Sequence, residues 1–183
     1  HAETTTGKCT HGFVDKLRVL KYTSLCTLMA ADLVSRLFEI CDALNPDWVI
    51  GSDHAGATIS FAVAQRLKAQ HDFTEKGEGK KQIWRRFAID PGEVVLQVEE
   101  LVTTTATLSA VRTGIREGNP HPVTFAPLVM TLVHRSQAAE FEGAPIIYGV
   151  HYDINTWEPD ACPLCRGGSK RLKPKHNWAD LTG

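Results

Sequence analysis

The stretch that decides the fold of this chain is Val94-Val95-Leu96-Gln97-Val98-Glu99-Glu100-Leu101-Val102-Thr103-Thr104-Thr105-Ala106-Thr107-Leu108. Its apolar, β-branched run predicts a buried strand that ends in two carboxylates, and a hydroxyl-rich turn then leads into a helix. In parallel α/β sheets, ligands bind at the carboxyl ends of strands, where a helix N-terminus offers free N–H groups to an anion. Two carboxylates can accept hydrogen bonds from a sugar diol or face a divalent cation. The stretch therefore predicts a site for a phosphorylated sugar.

The flanking sequence repeats the alternation of strand and helix. Apolar runs bounded by turn residues predict strands at 13–17, 47–51, 72–75, 82–89, 94–100, 127–134 and 146–152. Apolar residues at helical spacing predict helices at 27–44, at 58–70 and from 109 to about 118. Strands that alternate with helices are typical of a parallel sheet covered by helices on both faces.

Length and composition favour one ordinary globular domain. The 183 residues are enough for a sizeable core, so we expect a single domain over 1–183, with residues 1–8 disordered or vector-derived. A net charge of -1 gives no reason to expect a nucleic-acid or membrane-surface partner. No secretory signal or membrane span is visible, because charged residues interrupt the apolar stretch 25–44. We therefore expect a cytoplasmic protein.

The five cysteines are an odd number and do not suggest a secreted disulfide framework. Cys162-Pro163-Leu164-Cys165 is a single CxxC pair, which is half of a typical zinc site. Cys9, His151 or His176 could complete such a site, although nothing in the sequence shows that they do. A reversible disulfide is an alternative, and simple packing is the default interpretation.

The segment 94–107 resembles the phosphoribosyl-pyrophosphate (PRPP) signature of type I phosphoribosyltransferases. Glu99 and Glu100 match the acidic pair of that signature. The phosphate loop is matched by Thr103, Thr104, Thr105, Ala106 and Thr107, with Thr105 and Ala106 standing where the family usually has glycines. The resemblance implies an α/β fold with a parallel sheet flanked by helices and a small hood formed by the N- and C-terminal segments. The alternative is a buried strand followed by a Thr-rich helix cap.

Further segments resemble compact bacterial and archaeal orotate phosphoribosyltransferases, in the order that family shows them over roughly residues 10–176. The segment 11–16 is similar to one that ends in a ligand-contacting lysine, which would be Lys16. The turn after the strand 47–51 corresponds to the pyrophosphate loop, with Asp53, His54, Ala55 and Gly56 as its candidate binding residues. An aspartate beside a diphosphate is repulsive unless Mg²⁺ intervenes, so Asp53 departs from the family pattern.

Two more segments complete the resemblance. Residues 73–76 and 85–87 look like the strands that flank the catalytic loop, so Lys76 would contact the leaving pyrophosphate, assisted by Arg85 or Arg86. Arg135 matches the arginine that contacts the carboxylate of orotate, a role that suits a guanidinium fork. His134 stands in place of the usual aspartate.

The resemblance implies transfer of phosphoribosyl from PRPP to orotate, with Mg²⁺ as cofactor, Glu99 and Glu100 as its candidate ligands, and a homodimeric assembly. Lys76, Glu99 and Glu100 are the expected catalytic residues. The departures leave two alternatives open. One is a non-catalytic relative that binds a nucleotide or a sugar phosphate, and the other is a transferase for another base, with His134 marking the altered specificity.

Overall fold

The computed structural model describes the whole chain except residues 5, 175, 178 and 181–183, and it leaves out the side chain of residue 80. The chain divides into two compact units. One unit combines His1–Asp15 with Asp153–Gly183, and the other comprises Lys16–Tyr152. We call them the terminal unit and the central unit.

The elements alternate along the chain as the sequence predicts. The strands are β1 Ala2–Glu3, β2 Cys9–Thr10, β3 Trp48–Ser52, β4 Gln70–Lys76, β5 Gln82–Ile83, β6 Val94–Val102, β7 Thr124–His134, β8 Glu140–Phe141, β9 Ala144–His151 and β10 Thr156–Trp157. The α-helices are α1 Leu17–Leu20, α2 Thr23–Ile40, α3 Ala55–Leu67, α4 Ala106–Gly118 and α5 Pro163–Arg166. Short 3₁₀ helices span Glu78–Lys80 and Pro159–Ala161.

The central unit is built on a seven-stranded sheet in the order β5-β4-β3-β6-β7-β9-β8. The five inner strands run parallel, and β5 and β8 pair antiparallel at the edges. Because the inner strands are parallel, their carboxyl ends meet at one edge of the sheet, which we call the carboxyl edge. The predicted parallel α/β fold is confirmed.

The core lies between this sheet and the helices. Residues 95–99 of β6 are buried without alternation, as expected for a strand covered on both faces. From α4, Leu108, Val111 and Ile115 are fully buried. Trp48 and Trp84 meet edge to face with their ring centroids 5.9 Å apart in the same region.

Two predicted strands are wrong or too long. Residues 13–16 are irregular and Leu17 begins α1, so no strand forms at 13–17. The strand predicted at 82–89 stops at Ile83, because the chain then leaves the sheet to cross α4. A Cβ on Gly114 would lie 2.2 Å from the Gln82 carbonyl oxygen, and one on Gly118 would lie 2.1 Å from that of Trp84. The crossing therefore depends on two glycines that the strand pattern does not reveal.

The terminal unit joins the two ends of the described chain. A small antiparallel sheet has the order β1-β2-β10, so strands from the N-terminal segment pair with one from the C-terminal segment. Glu3 forms ion pairs with Arg171 and Lys173, at 3.0 and 3.7 Å. Residues 2 and 3 belong to the segment 1–8 that was expected to be disordered or vector-derived, and they form the strand β1.

Among the described residues, no helix combines the length and the hydropathy that crossing a bilayer requires.

Candidate active site

The acidic pair lies near the end of β6, at the carboxyl edge. Glu99 is 1% exposed, and both of its carboxylate oxygens face Ser52 at the end of the neighbouring strand β3. The Ser52 amide donates to Oε1 at 3.0 Å, and the Ser52 hydroxyl donates to Oε2 at 2.6 Å. Glu99 therefore ties β6 to the start of the loop that follows β3.

Close approach of α3 to the acidic pair requires a glycine. A Cβ built on Gly56, in the first turn of α3, would lie 2.6 Å from the Ser52 hydroxyl and 2.9 Å from Oε2 of Glu99. It would also lie 3.3 Å from Oε2 of Glu100. The N-terminus of α3 is thus packed directly against both carboxyl groups, and its positive end faces them.

The environment of Glu99 changes its acidity. Burial, and secondarily the nearby charge of Glu100, raises the pKa of Glu99 from 4.5 to about 8, and the hydrogen bonds from Ser52 only partly oppose this. Glu99 is therefore mostly protonated at neutral pH. The two adjacent carboxyl groups therefore lie in different surroundings, since Glu99 is buried and Glu100 is partly exposed.

Lys16 forms an ion pair with Glu100 of the acidic pair. Its ammonium lies 2.5 Å from Oε1 of Glu100, and the two side chains are 24% and 14% exposed. Lys16 precedes α1 and is separated from Glu100 by most of the central unit in sequence. The structure thus brings the predicted ligand-contacting lysine to the predicted ribose-binding carboxylate.

The loop between β3 and α3 holds Asp53 and His54. His54 has φ +61° and ψ -108°, a backbone conformation that non-glycine residues rarely adopt and that is typical of strained functional loops. Its Nδ1 lies 2.9 Å from a carboxylate oxygen of Asp53, and the Gln82 amide donates to the other oxygen at 3.4 Å. Both Asp53 oxygens are therefore engaged by neighbouring side chains, so its charge is partly compensated within the loop.

Lys76 ends β4 and opens a tight hairpin to β5. The turn is closed by a hydrogen bond from the Gly77 amide to the Lys81 carbonyl at 2.9 Å. Lys76 is exposed and forms no ion pair within the described part of the chain, so its ammonium is available to a ligand. Arg85 and Arg86 both contact Glu75, Arg85 at 3.7 Å and Arg86 by a hydrogen bond. Both arginines are thus engaged with Glu75, so they are less available to a pyrophosphate than Lys76 is.

The hydroxyl-rich loop Thr103–Thr107 leads from β6 into α4 without strain. Thr105 occupies the N-cap position of α4 with φ -76° and makes no side-chain capping hydrogen bond. The described non-glycine residues with positive φ are His54, Lys68 and Glu142, so none lies in this loop. The threonine and alanine that replace the family's glycines therefore have backbone angles that any L-residue adopts. Thr103, Thr104, Ala106 and Thr107 are exposed, and the helix N-terminus beside them suits a phosphate group.

A buried polar network fixes α4 under this loop. Gln97 of β6 donates to the Leu108 carbonyl at 3.2 Å and accepts from the Arg112 guanidinium at 3.3 Å. Arg112 and Arg116 both bind the Glu142 carboxylate, at 2.9 and 2.7 Å. These arginines, Arg116 first, lower the pKa of Glu142 to about 2. The network holds the phosphate loop on a rigid helix.

Arg135 follows β7 directly beside the phosphate loop. Its amide donates to the Val102 carbonyl at 2.9 Å, and β6 pairs with β7 at Val102 and His134. The guanidinium has no hydrogen bond or ion pair with any described residue, and partial burial lowers the pKa of Arg135. A half-buried cation without a partner fits a carboxylate ligand.

His134 faces a different surface from Arg135. The ring is 4% exposed and stacks on Tyr148 with centroids 5.3 Å apart, while His151 lies 5.1 Å away. Neither ring nitrogen has a hydrogen-bond partner of ordinary geometry among the described residues. Burial, and to a smaller extent the neighbouring His151, lowers the pKa of His134. The neutral form of the His134 ring is therefore favoured. These three rings help to line a cavity of about 240 Å³.

The carboxyl edge thus brings together most of the predicted residues, from four strand ends and two helix N-termini. They are Lys16, Asp53, His54, Ala55, Gly56, Lys76, Glu99, Glu100, Thr103, Thr104, Thr105, Ala106, Thr107 and Arg135. Sequence reasoning missed Ser52 as the partner of Glu99 and Gln82 as that of Asp53. Neither partner gave a signal in the sequence, because both contacts depend on how the strands are ordered in the sheet.

Comparisons with known proteins agree with this arrangement. No family model matches the chain. An orotate phosphoribosyltransferase from Caldicellulosiruptor saccharolyticus is 30% identical over 174 residues, which cover 95% of this chain and 87% of that protein. The orotate phosphoribosyltransferase of Thermotoga maritima is 28% identical over the same length, covering 95% of this chain and 89% of the relative.

Solved structures show the same fold at lower identity. The orotate phosphoribosyltransferase from Aeropyrum pernix matches with a TM-score of 0.61 and 18% identity, over 81% of this chain and 84% of that chain. The adenine phosphoribosyltransferase from Rhodothermus marinus matches with a TM-score of 0.59 and 16% identity, over 80% and 95%. The fold is that of the type I phosphoribosyltransferases. Because the relative from Caldicellulosiruptor saccharolyticus is 30% identical over 95% of this chain, the chain belongs to the orotate phosphoribosyltransferase family.

Proposed function

We propose that this protein transfers the phosphoribosyl group of PRPP to orotate and releases pyrophosphate. One observation carries the proposal: β6 holds the acidic pair near its end and leads through an exposed hydroxyl loop into α4, at the edge where Lys16 reaches Glu100. A site for a sugar diol thereby lies next to a site for a phosphate group.

The reaction is a displacement at the anomeric carbon of ribose. The ring nitrogen of orotate gives up its proton to solvent, and its electron pair forms the new C–N bond. The C–O bond to pyrophosphate breaks, and its electron pair leaves with the pyrophosphate. The oxocarbenium-like state between these events needs anchoring of both reactants more than it needs a protein nucleophile.

Each anchoring task has a candidate in the site. The N-terminus of α4 and the hydroxyls of Thr103–Thr107 bind the 5′-phosphate. Glu100 accepts hydrogen bonds from the ribose hydroxyls, and the ion pair with Lys16 holds this carboxylate in place. Lys76 faces the departing pyrophosphate from the hairpin. The guanidinium of Arg135, which has no partner among the described residues, orients the orotate carboxylate.

Mg²⁺ fits the site with one protein carboxylate rather than two. Glu99 is buried, mostly protonated and turned towards Ser52, so it does not present a free oxygen to a cation. Glu100 remains, and Mg²⁺ is commonly bound by one or two carboxylates together with substrate phosphates and water. When bound, the ion would neutralise charge on the pyrophosphate. We propose Glu100 as its only protein ligand among the described residues.

The rival interpretation of a non-catalytic relative loses two of its supports. It rests in part on Thr105 and Ala106, which stand where the family usually has glycines, but neither is among the described residues with positive φ. It also depended on the charge of Asp53, whose two oxygens contact His54 and Gln82. His134, the third departure, faces the ring cluster with Tyr148, so it gives no direct argument for a base other than orotate.

A homodimer, a cytoplasmic location and the absence of nucleic-acid and membrane partners stay predictions from the sequence. Size-exclusion chromatography with light scattering tests the first of these.

The test measures binding and turnover in one sample. PRPP with Mg²⁺ is titrated by calorimetry, orotate is then added, and the loss of its absorbance is followed, with uracil and purine bases as alternatives. We expect binding and consumption of orotate, and a large loss of turnover in Lys76→Ala. Lys68→Ala is the matched control, because Lys68 lies at the far end of α3, about 20 Å along the helix. Binding without turnover of any base would contradict the proposal.

A further inference from the structure

The terminal unit holds a cluster of metal-ligating side chains that the proposed reaction does not use. Cys9 comes from β2, Cys162 immediately precedes α5, Cys165 lies within α5, and His1 precedes β1. The three sulfur atoms and one imidazole nitrogen all lie within 4.8 Å of one another. Residues about 160 positions apart in sequence thus converge on one point.

The distances within the cluster match a tetrahedral zinc site. With Zn–S near 2.3 Å and Zn–N near 2.0 Å, tetrahedral angles place two sulfurs about 3.8 Å apart, and a sulfur and a nitrogen about 3.5 Å apart. The Cys9 and Cys165 sulfurs are 3.6 Å apart. His1 Nε2 lies 3.5 Å from the Cys165 sulfur and 3.9 Å from the Cys162 sulfur. All five cysteines are free thiols, so no disulfide accounts for this convergence.

Contacts around the cluster orient the ligand atoms as metal sites require. His1 Nδ1 lies 3.0 Å from the Ser169 hydroxyl, which leaves Nε2 facing the three sulfurs. A ligating histidine commonly donates its second nitrogen in this way. The Cys165 amide donates to the Cys162 sulfur at 3.4 Å, a contact that stabilises a thiolate. Cys9 and Cys162 are fully buried.

We propose that His1, Cys9, Cys162 and Cys165 bind one Zn²⁺ as a structural site. Four protein ligands fill a tetrahedral shell and leave no open position, so the site is structural rather than catalytic. Besides its three-stranded sheet and the ion pairs of Glu3, the described part of the terminal unit has a small core. Its buried described residues are Ala2, Cys9, Thr10, Cys162, Leu172 and Pro174, and a unit this small normally needs a disulfide or a metal.

The structure selects among the ligands that the sequence left open. Cys9 completes the CxxC pair, but His1 takes the place considered for His151 or His176. His151 belongs to the central unit and lies beside the ring of His134. The default interpretation of the CxxC pair as simple packing does not explain why a third thiol and an imidazole nitrogen meet it.

The experiment measures zinc in the full chain, purified without a metal-affinity resin. We expect about one zinc per chain by elemental analysis, released when a mercurial reagent titrates the thiols. Cys9→Ser and Cys162→Ser should each lower zinc content roughly tenfold or more. Cys41→Ser is the matched control, since Cys41 is a free thiol at the end of α2 in the central unit, and it should keep its zinc.

Cobalt substitution keeps the proposal testable where a variant fails to fold. The wild-type chain loaded with Co²⁺ should show thiolate-to-metal charge-transfer absorption and the strong visible bands of tetrahedral cobalt. A wild-type protein without zinc whose thiols all react freely would overturn the proposal. So would a Cys162–Cys165 disulfide in the freshly purified protein, or full zinc content in both ligand variants.

Discussion

Replacing Glu99 with glutamine should remove most of the pH dependence of stability between pH 4.5 and about 8. In the unfolded chain Glu99 ionises at its ordinary pKa, whereas the folded protein keeps it protonated until its raised pKa of about 8. The stability that this difference in pKa provides is therefore fully present below the pKa of the unfolded chain. It is lost as the pH rises through the pKa of the folded protein. At 1.36 kcal/mol per pH unit this gap corresponds to about 5 kcal/mol. Structural relaxation and water entry reduce such burial costs, so we expect about 3 kcal/mol.

Urea unfolding at a series of pH values measures the effect, with the fluorescence of the buried Trp48 and Trp84 as the signal from the central unit. The glutamine amide has the shape of the carboxyl group and keeps an acceptor for the Ser52 amide, so the fold should persist. Glu117→Gln, an exposed site on α4, is the control and should follow the wild-type curve. Parallel stability curves for the wild type and Glu99→Gln would refute the reasoning, because Glu99 would then ionise normally in the folded state.

Three further predictions follow from contacts in the central unit. Glu142→Gln should cost about 1–2 kcal/mol at neutral pH, after allowance for solvent screening of its partly exposed carboxylate. Because the pKa of Glu142 is lowered to about 2, the wild type should lose this stability as the pH falls below 4.5, and acid denaturation of the variant should lack that phase. Gly56→Ala should destabilise the central unit by about 1–3 kcal/mol in thermal or urea unfolding, since its Cβ would meet Ser52 at 2.6 Å, whereas Gly167→Ala, with no neighbour nearer than 3.4 Å, should be neutral. Arg135→Ala should raise KM for orotate roughly tenfold or more with little change in PRPP binding, and an unchanged KM would remove Arg135 from base recognition.

The part of the site that could be predicted is the part encoded locally. The acidic pair, the hydroxyl loop and the start of α4 are consecutive in sequence, and the periods of strand and helix change within them. The place of Arg135 could also be predicted, because a residue that follows a parallel strand lies at the carboxyl edge wherever the strand sits in the sheet.

Pairings between distant residues could not be predicted. No periodicity shows that Ser52 would meet Glu99, or that Lys16 would meet Glu100, because these contacts depend on strand order and on the path of the chain before α1. The ordinary backbone angles of Thr105 could not be predicted either, since a glycine-rich family pattern does not reveal whether a given loop uses positive φ. His1 gave no signal as a partner of the CxxC pair for the same reason.

The two segments of the terminal unit have a consequence for the order of events on the ribosome. Residues 1–15 are synthesised before the central unit, yet their sheet partner β10 and the cysteines Cys162 and Cys165 follow only after it. At ordinary rates of translation this interval is on the order of ten seconds. The central unit can fold during that time, while Cys9 waits as an exposed thiol. The segment 1–15 can thus complete its sheet only late in synthesis, and until then the Cys9 thiol is open to oxidation or mispairing.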